Sequence, residues 1–326
     1  MKLVNIINRL GWALLTYITV NLFIFFVPRL MPGNYIDYIA SSRFLPEEAV
    51  KELYVKFGLN EPLYAQFLKF LLSIMFSPRP DFGYSYVFYP QKAWDVVMIY
   101  LPWTLLLLSV ATVATFLFGL FMGFIAALKK DSLLDRFITS FSIFTMSNPY
   151  FVIAMFLLII FSLYLRAFPP GGAYSPTPQA DMIHKILDIM WHMILPVIAI
   201  TIGTSGQYVI MTRSIIVNNM REDYFRSAEA IGIRRSKILI DYALKPGVLP
   251  LITLFGIRFG TMLSGALLTE IIFSYPGLGY LLYQAILSKD FPVIQAIFYM
   301  ICVMVIATSL ILDITYSLLD PRIREG

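Results

Sequence analysis

Charged side chains and cysteine are scarce in this chain. Asp, Glu, Lys and Arg make up only 14% of its 326 residues, whereas hydrophobic residues make up 59%. Soluble domains hold about 25% charged residues, so this composition excludes an ordinary soluble protein and favours a membrane protein. The single cysteine, Cys302, excludes an intramolecular disulfide and a CxxC metal pair. Its apolar neighbours favour a buried structural thiol over a reactive one.

Sequence motifs of common enzymes are also missing. The chain contains no GxxxxGK[ST] phosphate-binding loop, no HExxH and no GxSxG. Its two histidines, His184 and His192, flank Asp188 at a spacing that places all three on one helix face. This pattern leaves two interpretations open. One is a metal site, and the other, which we expect, is an interfacial helix with Trp191 at the headgroup level.

Long apolar runs are abundant. Crossing a hydrocarbon core of about 30 Å takes roughly 20 helical residues. The six predicted spans are Leu10–Val27, Ile99–Leu128, Phe137–Leu165, Met193–Met211, Val248–Phe273 and Val293–Leu319. The predicted fold is therefore an all-α integral membrane protein with six transmembrane helices. The first run follows Lys2 and Arg9 as in a signal peptide, but residues 27–33 do not form a small-x-small cleavage site, so a permanent helix is expected.

The basic residues predict the orientation. With the N-terminus inside, the internal segments hold 14 Lys and Arg residues, against three in the two short external loops. Both termini are therefore expected in the cytosol. The predicted domains are an N-terminal tail with the first span (1–27), a small external domain (28–98) and a core membrane domain with the other five spans (99–326). Basic residues placed in this way indicate membrane topology rather than a nucleic-acid partner.

The external domain is predicted to contain two helices. Residues 45–58 begin with Pro and Glu and end with Gly, which is typical of a well-delimited amphipathic helix. A second helix begins near Glu61 and is apolar enough to lie at the membrane interface.

Several predicted spans contain glycines at helical spacing. Gly119 and Gly123 form a GxxxG pair, as do Gly256 and Gly260, and Gly265 follows. Such glycines let helix backbones approach closely in lipid. Helix packing is the expected role, with pore lining as the alternative.

Two ionisable residues fall within the fifth predicted span. Arg258 lies ten residues past Val248, which is about 15 Å along a helix and close to the middle of the bilayer. Glu270 lies near the outer end of the same span. Because a lipid-facing Arg at this depth is costly, Arg258 should face a wet cavity or a carboxylate. Structural pairing and contact with a transported solute both remain open for it.

A polar, basic segment of 34 residues, 213–246, separates two of the spans. It is the largest internal segment and has helix-forming patches on both sides of Gly232. A segment of this length between two spans is expected to be a docking platform for a cytosolic partner.

The same segment resembles the EAA loop of binding-protein-dependent ABC importer permeases, specifically the B-type subunit of the dipeptide/oligopeptide class. The matching positions are Arg226, Ser227 and Ala228 for Glu-Ala-Ala, Gly232 for the glycine and Leu244 for the leucine. Lys245 stands where many families have proline, and Pro246 follows it. The resemblance extends along the chain through residues 57–68, 81–85, 269–279 and 318–324.

This resemblance implies a permease subunit of an ATP-driven importer for peptides or oligosaccharides. The implied partners are a second homologous permease subunit, two ABC ATPase subunits that hold ATP and Mg, and an extracytoplasmic solute-binding protein. The implied location is the plasma membrane of a bacterium or archaeon. A coupling helix near Asp223–Ile231 would sit in a cleft of the ATPase, with Tyr224 and the motif residues at the contact.

Functions of other kinds remain as alternatives. An ABC-type exporter would carry a fused ATPase or helices that project far into the cytosol, and a channel would not need segment 213–246. A membrane enzyme would need a nucleophile or metal set, which the motif search does not find.

Overall fold

The computed structural model describes residues 3–30, 36, 46–56, 60–75, 79–176, 181–265 and 267–319. Throughout these residues regular structure is helical, with one isolated bridge between Tyr84 and Lys92. The all-α prediction is confirmed. Contacts group the chain into two compact units, 1–104 with 276–308, and 105–275 with 309–326. The predicted division into three domains stays a prediction.

The described α-helices follow the hydrophobic pattern of the sequence. In chain order they are α1 (Leu3–Leu30), α2 (Glu47–Lys56), α3 (Leu63–Met75), α4 (Ala93–Leu128), α5 (Leu133–Ser147), α6 (Tyr150–Leu157), α7 (Met182–Thr204), α8 (Gly206–Asn219), α9 (Asp223–Ala230), α10 (Arg235–Ile238), α11 (Val248–Gly265), α12 (Leu267–Ile272), α13 (Leu278–Leu287) and α14 (Phe291–Leu319). Two π-helical segments, Leu158–Tyr164 and Leu239–Leu244, follow α6 and α10. A 3-10 turn, Lys245–Gly247, leads into α11.

Both helices predicted in the external segment are present. Glu47 lies in the first turn of α2, where a negative charge complements the helix dipole. Helix α3 packs on α1 through aromatic rings, with the Phe25 centroid 5.2 Å from Phe67 and 5.5 Å from Phe70. The other side of α3 exposes Tyr64, Leu68 and Leu72. An exposed apolar face suits the interfacial position expected for this helix.

A buried carboxylate, Asp290, fastens the segment before α4 to the start of α14. Its Oδ2 accepts hydrogen bonds from the Ser85 hydroxyl at 2.5 Å and from the backbone N–H groups of Tyr86 and Val87 at 3.0 and 3.1 Å. Its Oδ1 lies 3.4 Å from the Val293 backbone nitrogen. Several donors on one buried carboxylate offset the loss of its hydration. No local sequence pattern indicates this contact.

A more exposed ion pair lies in the same segment, predicted to be external, where Lys92 Nζ is 2.9 Å from Asp81 Oδ2. Partial burial acts to raise the pKa of the Asp81 carboxyl, but hydrogen bonds from Lys92 and the Gly83 N–H outweigh it and lower the pKa.

Four described helical segments are long and apolar enough to cross a membrane. They are Ala93–Leu128, Met182–Thr204, Leu239–Gly256 and Phe291–Ser309. A fifth results if the bent pair Leu133–Ser147 and Tyr150–Tyr164 forms one span. In the first predicted span, the apolar helix found is Leu14–Phe26. The six-span arrangement and the location of both termini stay predictions.

The third predicted span, Phe137–Leu165, is broken rather than straight. The helices on either side of Asn148 and Pro149 differ in direction by 102°. Pro149 has no N–H to continue the helix, and its ring disfavours a helical conformation in the residue before it. Asn148 accordingly adopts an extended backbone with φ −105° and ψ 139°.

The helix found at the fourth predicted span, Met182–Thr204, starts well before the predicted Met193. The polar residues near Asp188 led to the prediction of an interfacial helix here, separate from the span. In the structure the Asp188 carboxylate accepts hydrogen bonds from the Ser175 N–H at 2.6 Å and the Ser175 hydroxyl at 2.8 Å. Because the polar groups are paired, the helix continues through them.

Candidate functional site

Segment 213–246, the predicted docking platform, contains a short amphipathic helix, α9. This helix closely matches the predicted Asp223–Ile231. Asp223 lies in its first turn, where its charge favours the helix start. Phe225 and Ala228 are buried, each only 3% exposed. The side chains between them point outward, so one face of α9 is fixed to the protein and the other is available to a partner.

An apolar cluster beneath α9 holds it in place. Its buried members are Ala127, Ile216, Val217, Phe225, Ala228, Ile238, Leu239 and Ala243. They come from the end of α4, the end of α8, α9 itself, the end of α10 and the π-helical segment that follows it. The Asn219 side-chain amide also donates to the Ala243 carbonyl at 2.7 Å. Helix α9 therefore shares one apolar cluster with the ends of α4 and α8.

Gly232 ends α9 with a left-handed residue, at φ +82°. Its N–H donates to the Glu229 carbonyl at 3.0 Å, and the Ile233 N–H donates to the Ala228 carbonyl at 3.3 Å. These two hydrogen bonds form a Schellman motif, in which glycine is the usual left-handed residue.

The residues predicted to contact an ATPase divide into two groups. The exposed ones are Tyr224, Arg226, Ser227 and Gly232. Ala228 and Leu244 instead belong to the apolar cluster or pack against it. The Ser227 hydroxyl donates to the Asp223 carbonyl at 2.8 Å, inside its own helix.

Two residues important for α9 are not positions of the EAA motif. Phe225 anchors the helix, and its spacing of three from Ala228 is a helical signal that the sequence already contained. Ile231 is 79% exposed. An apolar side chain that exposed on a polar surface suits contact with a partner.

An ion pair between the buried Asp135 and the half-buried Arg213 joins α5 to α8. Arg213 Nε is 2.5 Å from Asp135 Oδ1, and its terminal nitrogen is 2.6 Å from Oδ2. The Asp135 carboxylate also accepts from the Asp131 N–H at 2.9 Å and the Thr139 hydroxyl at 3.3 Å. Asp135 is only 2% exposed. The sequence did not reveal this pair, because its partners are 78 residues apart.

The first GxxxG pair packs helices together, as expected. A Cβ added at Gly119 would collide with the Tyr208 side chain, and one at Gly123 would lie 2.6 Å from both Thr212 Cβ and the Val209 carbonyl. These glycines therefore seat α4 directly against α8. In the second pair Gly256 is buried, whereas the environments of Gly260 and Gly265 lie outside what the structure describes.

The two candidate pathway residues differ in environment. Arg258 is exposed, and its terminal nitrogen donates to Gln207 Oε1 at 2.6 Å. Glu270 on α12 is fully buried, and its backbone carbonyl accepts from the Tyr275 N–H at 2.8 Å. The partner found for Arg258 is thus an amide from the start of α8.

The alternative metal site is not supported. Among the described residues no three His, Cys, Asp or Glu side chains come together as metal ligands. His184 lies 3.6 Å from Asp181, and His192 lies 3.4 Å from Asp188. Cys302 is a free, buried thiol, as its neighbours indicated.

Comparison with known proteins gives consistent matches. A family described as "Binding-protein-dependent transport system inner membrane component" matches residues 119–325. The di/tripeptide transport system permease protein DppB of Pseudomonas aeruginosa is 34% identical, over 98% of both chains. The dipeptide transport system permease protein DppB of Escherichia coli K12 and the oligopeptide transport system permease protein OppB of Haemophilus influenzae are each 31% identical, again over 98% of both chains.

Proposed function

We propose, from the premise that this chain belongs to the family of binding-protein-dependent transport system inner membrane components, that it is the B-type permease subunit of an ATP-driven importer of short peptides. Membership makes it a multi-pass membrane component of a transport system, rather than an enzyme. Membership in a binding-protein-dependent family also argues against an exporter or a channel. The relatives named above are bacterial, which favours a bacterial over an archaeal plasma membrane.

The structure of α9 is the observation that carries the coupling part of this proposal. A helix of eight residues would not persist in isolation, yet here it is held by Phe225 and Ala228 on an apolar cluster. Its outer face presents Tyr224, Arg226 and Ile231. Aromatic and Arg side chains are frequent anchors of protein interfaces. In this proposal the outer face of α9 sits in a cleft of a cytosolic ATPase.

The proposed assembly contains this chain, a second homologous permease subunit, two ABC ATPase subunits and an extracytoplasmic solute-binding protein. ATP and Mg bind in the ATPase subunits, since this sequence has no phosphate-binding loop. Closure of the ATPases on ATP moves α9. Because α9 is packed on the ends of α4 and α8, it carries these helices with it and alternates the side of the membrane to which the pathway opens.

Peptides are the proposed solute, on the names of the relatives. Arg258 and Gln207 are proposed to line the pathway, because Arg258 is exposed and a lipid-facing Arg is costly. Glu270 is proposed as a second pathway residue, on its position in the same predicted span. Oligosaccharides are the competing solute class.

The test is uptake by the reconstituted assembly. The assembly is purified with its binding protein, placed in liposomes containing ATP, and offered dipeptides, tripeptides or oligosaccharides in separate experiments. Accumulation of peptides, with ATP hydrolysis that rises when the binding protein is loaded, is the expected result. Accumulation of oligosaccharides alone would reassign the solute, and accumulation of neither would refute the import function.

A matched pair of variants tests the role of α9. Arg226→Glu reverses a charge on its exposed face, whereas Lys289→Glu makes the same change in a predicted external loop. Arg226→Glu should lower affinity for the ATPase subunits, and Lys289→Glu should leave it unchanged.

A further inference from the structure

We propose that the Asp135–Arg213 ion pair fixes the relative orientation of α5 and α8, and that movement of α9 and α8 reaches α5 through it. Asp135 and Arg213 are thus positioning residues for transport. This inference rests on the proposed function and adds to it a specific route between two helices.

The geometry of the pair favours a positional role. Both carboxylate oxygens of Asp135 face two nitrogens of the Arg213 guanidinium, at 2.5 and 2.6 Å. A bidentate pair of this kind fixes direction as well as distance. A buried ion pair often adds little stability compared with apolar side chains of the same size. Its specific contribution is therefore orientation, because the planar fork matches the carboxylate in one alignment.

Away from this pair, α5 and α8 also approach closely, but the described residues there form no bidentate ion pair. A Cβ at Gly206 would lie 2.6 Å from the Ser142 carbonyl and 2.7 Å from Met146 Cγ, so the two helices almost touch there. Asp135 and Ser142 are two turns apart on α5, and Gly206 and Arg213 are two turns apart on α8. The helices therefore run antiparallel, with small or flexible groups at one end and the ion pair at the other.

The ion pair joins α8, which contributes to the apolar cluster under α9, to α5, the first helix of the bent pair. Arg213 is one turn before Ile216 and Val217, which belong to the cluster under α9. On the other side, α5 leads through Pro149 into α6. A displacement of α9 that tilts α8 thus passes through the ion pair to α5 and on to the bend.

The experiment uses the complete assembly in nanodiscs, with Cys302→Ser as the background. Two reporter positions are used separately, Ser147→Cys at the end of α5 and Asn218→Cys near the end of α8, both exposed. A water-soluble maleimide measures their labelling rates without nucleotide and with trapped ATP. Solute uptake per ATP is measured on the same variants without a reporter.

The main variant replaces both partners, Asp135→Asn with Arg213→Gln. It leaves no unpaired buried charge, so a folding defect is not expected. ATP should still change the labelling rate at position 218, whereas the change at position 147 should be lost. Uptake per ATP should fall roughly tenfold, within the range over which contacting residues couple. Arg213→Lys keeps the charge without the fork and should recover only part of the loss.

A matched control removes a different ion pair. Asp81→Asn breaks the exposed contact with Lys92 in the external segment and should change neither labelling nor uptake per ATP.

Two results would overturn the proposal. One is an ATP-dependent change at position 147 that persists in the double variant, and the other is an absence of that change with the pair intact. Failure of the proposed import function is distinguishable from these, because an assembly with the intact pair that takes up neither solute class still gives a labelling result.

Discussion

At Gly232 a single backbone angle decides how α9 ends. The φ of +82° places any other residue in the left-handed region, and a Cβ there would meet no atom within 4 Å. Backbone strain alone therefore sets the effect of a substitution. Gly232→Val should cost about 1–2 kcal/mol in local stability and, if α9 must stay formed to dock, lower ATPase affinity roughly tenfold. Affinity is measured by titrating labelled ATPase onto the variant in nanodiscs.

Gly232→Asn is the matched control, because Asn tolerates the left-handed region better than other non-glycine residues. It should retain most of the affinity, and both variants should insert in the membrane normally. Equal affinity for Gly232→Val and the unmodified chain would show that docking does not depend on the Schellman end of α9.

Arg258 tests the pathway at the level of one side chain. Gln at this position keeps hydrogen-bond donors for Gln207 Oε1 but removes the charge, whereas Leu removes both. Arg258→Gln should assemble normally and change uptake per ATP. Arg258→Leu should be more harmful, because it removes the hydrogen bond to Gln207 Oε1 as well as the charge.

A cysteine reporter at position 258, with Cys302 replaced, gives an independent reading of the same hypothesis. Water-soluble reagents should reach it in one nucleotide state. Labelling only by lipid-soluble reagents in every state would place Arg258 outside the pathway.

At the scale of one element, the attachment of α9 depends on a single large side chain. Phe225→Ala removes the ring from the cluster of Ile216, Ile238 and their neighbours. Deleting a buried Phe costs about 3–5 kcal/mol in well-packed cores, so α9 should detach from α8. ATPase binding should weaken, and amide hydrogen exchange should rise in 223–231. Tyr224→Ala is the matched control, since that side chain is exposed: it should weaken binding without raising exchange.

The close approach of α4 to α8 makes a second prediction for an element. Gly123→Ala forces a Cβ to within 2.6 Å of the Val209 carbonyl, which cannot move without its helix. Overpacking of this kind costs about 1–3 kcal/mol. Gly11→Ala on α1 is the control, because a Cβ there meets nothing within 4 Å. The melting temperature of the assembly in detergent should fall for Gly123→Ala alone.

How far the sequence predicted this structure depends on the range of each interaction. Helix α9 and the turn at Gly232 follow from residues a few positions apart, and both were predictable. The break at Asn148 and Pro149 also depends on two adjacent residues, but hydropathy averaged over a long window concealed it. Asp135–Arg213 joins positions 78 residues apart, and no local pattern indicates which Asp meets which Arg.

At the scale of the whole molecule, the arrangement predicts a subunit that moves only when others act on it. The sequence has no phosphate-binding loop, and the family to which it belongs is a component of a larger transport system. Reconstituted by itself, the chain should neither hydrolyse ATP nor accumulate peptides against a gradient.

The decisive comparison is between that preparation and the same preparation after addition of its second permease subunit, its ATPases and the loaded binding protein. Uptake should appear only in the complete mixture. Arg226→Glu should suppress uptake there while the separate ATPase subunits keep their own hydrolysis, because the variant breaks the contact and not the ATP site. ATP-driven accumulation by the isolated chain would contradict the division of labour on which the proposed mechanism depends.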